Sequence, residues 1–117
     1  MLENIRKLAI DVDGTICTNR DSMREETGDK SIDYVDMTPY PDRINIINDL
    51  KKQGYYILYW TGRGATSGRD WTELTTKQLN DWGCLYDEVI VGRKPHFDLY
   101  VCDKSTNADI FFNNLKK

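Results

Sequence analysis

A chain of 117 residues holds one hydrophobic core and not two, so a single domain over 1–117 is expected. Its 16 basic and 19 acidic residues leave a formal charge of −3, the wrong sign for a surface that must neutralise nucleic-acid phosphates. No stretch approaches the roughly 20 apolar residues of a membrane span, Met1–Lys7 carries no apolar leader, and Cys17, Cys84 and Cys102 fit neither a disulfide framework nor zinc spacing; a cytoplasmic protein with reduced thiols is expected.

The first predicted element is a strand over Leu8–Val12, and it runs directly into Asp11-Val12-Asp13-Gly14-Thr15. Side chains two apart on an extended strand point the same way, so Asp11 and Asp13 share one side of the strand's mouth. Like charges so placed favour a bound cation or a shared proton. Gly14 then lets the backbone turn closely past whatever is held there.

Thr18–Tyr40 has no clean period and reads as a long loop, a length that is usually functional or mobile. It holds six acids (Asp21, Glu25, Glu26, Asp29, Asp33, Asp36) against three bases (Arg20, Arg24, Lys30), which matches a solvated flap over 18–40 or a lid whose acids select hydroxyls or an amine. A helix follows over Asp42–Gln53, with Pro41 near its start, Ile44, Ile47 and Leu50 on one face, and Gly54 past its end.

The next strand is Tyr55–Trp60, leading to Thr61-Gly62-Arg63. The glycines of the loop Gly62–Arg69 lack the Gly-Lys-Ser/Thr ending of a P-loop, so it is no nucleotide cradle by that test. Arg63 and Arg69 read as exposed or capping residues, with contact to the substrate's unreactive part or to a second phosphate as the alternative. A helix over Asp70–Trp82 places Trp71, Leu74 and Trp82 at core spacing and stops at Gly83. Strands over Glu88–Val91 and Asp98–Cys102 complete the sheet, followed respectively by Gly92-Arg93-Lys94-Pro95 and Asp103-Lys104. A closing helix spans Thr106–Lys117, and the lone His96 has no second histidine for zinc.

Strands alternating with helices predict an α/β fold, a Rossmann-like parallel sheet in three layers. Ligands bind such sheets at the carboxyl ends of the strands. There the chain gathers two or three carboxylates, a hydroxyl and an ammonium, the parts that hold Mg²⁺ and a phosphoryl group together.

In these motifs and their order the chain resembles the haloacid dehalogenase-like (HAD) superfamily of phosphotransferases. The match runs over essentially the whole chain, and Asp11-Val12-Asp13-Gly14-Thr15 is its most specific element. The short insert, the lack of a large cap domain and the run Trp60-Thr61-Gly62-Arg63-Gly64 are similar to small phosphatases of capsule or surface-polysaccharide biosynthesis. The resemblance implies a phosphoric monoester hydrolase in which Asp11 is the nucleophile and Asp13 the acid and base. It further implies that Thr61 and Lys94 steady the phosphoryl group, and that Mg²⁺ is held by Asp11, the Asp13 carbonyl and Asp103. Gly62, Arg63 and Asn107 would stand in the substrate region or behind the ligands.

One departure is that Cys102 precedes Asp103 where the family often has a second acid, with Asn107 four positions on, which predicts weaker Mg²⁺ binding. The expected partner is a small phosphate ester, a sugar or polyol phosphate. A second copy of the chain is expected as well, because the site needs a cover. Rival readings are a receiver-like phosphoacceptor module, a catalytically impaired scaffold and a nucleic-acid end phosphatase. The acidic insert argues against the last.

Overall fold

The computed structural model describes residues 6–92, 99–101 and 108–115. In chain order its elements are β1 (Lys7–Asp11), α1 (Arg20–Thr27), a 3₁₀ turn (Tyr34–Asp36), α2 (Pro41–Lys52), β2 (Tyr56–Thr61), α3 (Thr72–Asp81), β3 (Glu88–Val91), β4 (Leu99–Val101) and α4 (Ala108–Leu115). The strands form one parallel sheet in the order β3-β2-β1-β4.

Leu8, Ala9 and Ile10 on β1 and Ile57, Leu58 and Tyr59 on β2 are wholly buried. Continuous apolar runs of this kind mark strands covered on both faces, as parallel strands are. In register, Leu8 faces Ile57 and Ile10 faces Tyr59 and Val101. That face packs with Ile44, Ile47 and Leu50 of α2, Leu79 of α3, and Phe111 and Phe112 of α4 in a single core. The apolar spacing predicted for α2 is therefore the spacing that meets the sheet. Among the described residues no helix is long and apolar enough to cross a membrane.

Two expectations need correcting. Thr18–Tyr40 is not an unpatterned loop, since it holds α1 and the 3₁₀ turn. No residue of α1 is buried, so the helix has no apolar stripe by which to be recognised. Its ends are fixed locally instead: Asn19 accepts from the Ser22 N–H at 3.0 Å, and Gly28, at φ 72°, donates its N–H to the Arg24 carbonyl. The other correction concerns Trp71, which lies just before α3 rather than inside it, although it is buried as predicted.

The path of the chain prepares a site. From β1 the strands step outward through β2 to β3, and the chain then returns to place β4 on the far side of β1. The connections thus diverge beside β1. In open parallel sheets a crevice for ligands opens at the carboxyl ends of the strands at such a switch point.

Candidate active site

Asp11 is the last residue of β1 and pairs in register with Trp60. The chain then turns at once: the Thr15 and Ile16 N–H groups donate to the Val12 carbonyl at 3.2 and 3.0 Å, and Gly14, at φ 80°, donates to the Cys17 carbonyl at 2.9 Å. This turn sets Asp13 beside the end of β2. There the Thr61 hydroxyl donates to Asp13 Oδ2 at 3.3 Å, and the Thr61 carbonyl accepts from the Gly92 N–H at 2.8 Å. Asp11, Asp13 and Thr61 thereby lie at the carboxyl ends of the two inner strands, with Asp13 placed there by the turn and not by a continuing strand, since β1 ends at Asp11.

Arg63 corrects the sequence reading. It is neither exposed nor a helix cap, with 2% of its surface accessible. Its Nε donates to Asp13 Oδ2 at 3.0 Å and its Nη2 to Oδ1 at 2.7 Å, a two-pronged grip on the carboxylate. The remaining nitrogen, Nη1, donates to Gln78 Oε1 at 2.6 Å and Thr75 Oγ1 at 3.2 Å. The Tyr34 ring stacks on the guanidinium, its centroid 4.6 Å from Cζ. A buried cation is tolerable only when its charge is met and its donors are used, and here both conditions hold. Gly62, by contrast, is exposed.

The insert reaches this network. Gln78 Nε2 donates to the Tyr34 carbonyl at 2.6 Å, Arg20 stacks on the Tyr34 ring at 4.1 Å, and Trp71 meets that ring edge-on at 4.9 Å. Sequence reasoning missed Tyr34, Thr75 and Gln78 altogether. No local pattern marks them.

Cys17 lies against the same carboxylate, with Sγ 3.7 Å from Asp13 Oδ1. Burial, and then the Asp13 charge, push its thiol well above the usual range, which makes it a protonated packing group rather than a nucleophile. Cys84 is buried too, its thiol pushed up to about 11 by that burial. Both are free thiols, as expected.

The described residues bring no three carboxylate, histidine or cysteine side chains together as a metal cage. Both Asp13 oxygens are committed to Arg63. The Asp13 main-chain carbonyl, however, accepts no backbone hydrogen bond among the described residues. That carbonyl and the Asp11 carboxylate are hard oxygen donors at one strand mouth, which suits Mg²⁺ with further waters and substrate oxygens. Lys94, His96, Cys102, Asp103 and Asn107 lie outside the described residues.

No family model matches this chain, and no curated protein matches it. Among solved structures, it is similar to the crystal structure of a structural-genomics target from Vibrio cholerae, at 21% identity, with a TM-score of 0.64 over 95% of this chain and 96% of that one. The likeness shows a shared α/β fold.

Proposed function

We propose that the chain is a Mg²⁺-dependent phosphomonoesterase of the HAD-like type, working through a phospho-aspartate. The observation that carries this reading is the meeting of Asp11, Asp13 and Thr61 at the carboxyl ends of β1 and β2, beside the switch point of a parallel sheet.

In this reading a carboxylate oxygen of Asp11 attacks phosphorus, and the bond from phosphorus to the leaving alcohol breaks as Asp13 supplies the proton that alcohol needs. Asp13 then takes a proton from water, whose oxygen attacks the acyl phosphate. Phosphate departs, and the Asp11 carboxylate is restored. The gain lies in splitting one difficult displacement into two easier ones. With substrate bound, the Thr61 hydroxyl turns from Asp13 to donate its hydrogen bond to a phosphoryl oxygen, and Lys94 offsets the charge that gathers there. Mg²⁺, held by Asp11, the Asp13 carbonyl and Asp103, would supply the positive charge that lets an anionic nucleophile approach an anionic ester.

The acidic insert and the charge of −3 favour a small sugar or polyol phosphate over nucleic acid, as in surface-polysaccharide precursor synthesis in the cytoplasm. Self-association would complete the cover over the mouth, and light scattering that reports a monomer removes this part.

The test is phosphate release from a panel of sugar, polyol and nucleoside monophosphates with and without Mg²⁺. Turnover should vanish on chelation. Asp11→Asn should lower it on the order of 10⁴-fold or more while circular dichroism stays native, and Asp13→Asn should lower it by about 10²–10⁴-fold. Acid-quenched wild type should carry phosphoryl mass on the peptide containing Asp11. A fully active Asp11→Asn ends the proposal.

A further inference from the structure

Arg63 braces Asp13, but nothing about a guanidinium on a flexible stem makes it point one way. What fixes it here comes from two other elements. Gln78 on α3 accepts from Arg63 Nη1 through its oxygen and donates through its nitrogen to the Tyr34 carbonyl. The Tyr34 ring covers the guanidinium at 4.6 Å. Tyr34 is held in turn. Asp33 caps the 3₁₀ turn and accepts from the Tyr34 N–H at 2.8 Å, Asp36 accepts from the Asp33 N–H at 3.0 Å, and Arg20 of α1 pairs with Asp33 at 3.1 Å. A continuous set of contacts therefore runs from α1 through the 3₁₀ turn to the Asp13 carboxylate.

We propose that Tyr34 and Gln78 are positioning residues: they hold Arg63 in the one orientation in which it braces the acid–base carboxylate of Asp13. The segment between β1 and α2 is then a working part of the site and not merely its cover. This rests on the phosphatase reading for its effect on turnover, but the brace itself does not. A side chain turned from its productive geometry by an ångström can cost up to about 10²-fold in rate, so a residue that never touches substrate can still govern kcat.

Three variants separate this from a bland packing role. Tyr34→Phe keeps the ring face and the backbone carbonyl, so it should retain wild-type kcat. Tyr34→Ala should lower kcat by about ten- to a hundredfold with KM little changed. Gln78→Leu, close in volume, should break the same brace from α3 and lower kcat likewise. In the Asp13→Asn background Tyr34→Ala should cost almost nothing more, because groups that act through one another are not additive. The buried Arg63 Nε–H, bonded to Asp13 at 3.0 Å, should give a slowly exchanging proton signal in the wild type and Tyr34→Phe, and a rapidly exchanging one in Tyr34→Ala and Gln78→Leu. That signal needs no turnover. A wild type that releases no phosphate would therefore sink the functional reading, whereas an Arg63 signal unchanged in folded Tyr34→Ala sinks the brace. Equal losses in Tyr34→Phe and Tyr34→Ala, or full additivity with Asp13→Asn, would sink it too.

Discussion

Gly64 decides where the loop after β2 can go, and therefore where Arg63 can sit. At φ +83° it adopts a left-handed backbone, and a Cβ there would lie 1.9 Å from the Arg69 carbonyl oxygen and 3.0 Å from Trp71. Gly68 shares the sign of φ, at +77°, but a Cβ on it would meet nothing within 4 Å. Gly68→Ala should thus cost about 1–2 kcal/mol, the price of the left-handed backbone alone. Gly64→Ala adds a backbone collision and should lose roughly 2 kcal/mol more. Urea melts compare the two directly, and equal midpoints would contradict the collision. The sequence displays these glycines but not which one is crowded, because the contact forms only when the Gly68 N–H closes the loop on the Gly64 carbonyl at 2.8 Å. The partners of Arg63 were illegible for a related reason. Its carboxylate, amide and hydroxyl partners stand 50, 15 and 12 positions away. Asp11, Asp13 and Thr61 could be read because each stands at or just after the end of an apolar run, which a parallel sheet brings together at its carboxyl ends.

Among the elements, β1, β2 and α2 announce themselves through the runs Leu8–Ile10 and Ile57–Tyr59 and the Ile44, Ile47, Leu50 stripe, all of which are buried. Thr61 joins β2 only because it pairs with Val91 of β3, which no pattern within β2 reveals. The helix α1 is the opposite case, polar apart from Met23, which packs half-buried against the core, and held also by its ends and by Arg24, whose Nε donates to the Ile32 carbonyl at 2.6 Å. An isolated helix of this length is not stable in water, so each end contact carries a large share. Asn19→Ala removes the cap on the Ser22 N–H and should weaken α1 by about 1 kcal/mol, with amide exchange over 20–27 quickening by about fivefold. The global melt should move little, because α1 sends only the half-buried Met23 against the core. Uniform quickening across the whole sheet would show instead that α1 unfolds only with the rest.

At the scale of the whole molecule, the alternation of strands and helices implies a parallel sheet but not the return of β4 to the far side of β1, which creates the switch point. The two ends of that sheet do different work. The carboxyl ends carry the candidate site, and the amino ends are tied together by Asp87, just before β3. Its carboxylate accepts from the Ile57 N–H at 2.8 Å and pairs with Lys51 of α2 at 3.0 Å. Partial burial pushes this carboxyl up, but the Ile57 hydrogen bond and the Lys51 charge outweigh it and hold it below the usual carboxylate range. A carboxyl depressed in the folded state stabilises the fold above its unfolded value of about 3.9, and that contribution disappears as pH falls through the folded value. Asp87→Asn should therefore melt lower than wild type at neutral pH, and the gap should close as pH drops below about 4. Asp29, Asp33 and Asp70 are depressed as well, so the variant keeps an acid limb, only a shallower one. Because Asp87 stands at the end of the sheet remote from Asp11 and Asp13, the folded variant should turn over at the wild-type rate. A melting gap that stays constant down to low pH would show that the carboxylate's charge is not what ties α2, β2 and β3 together.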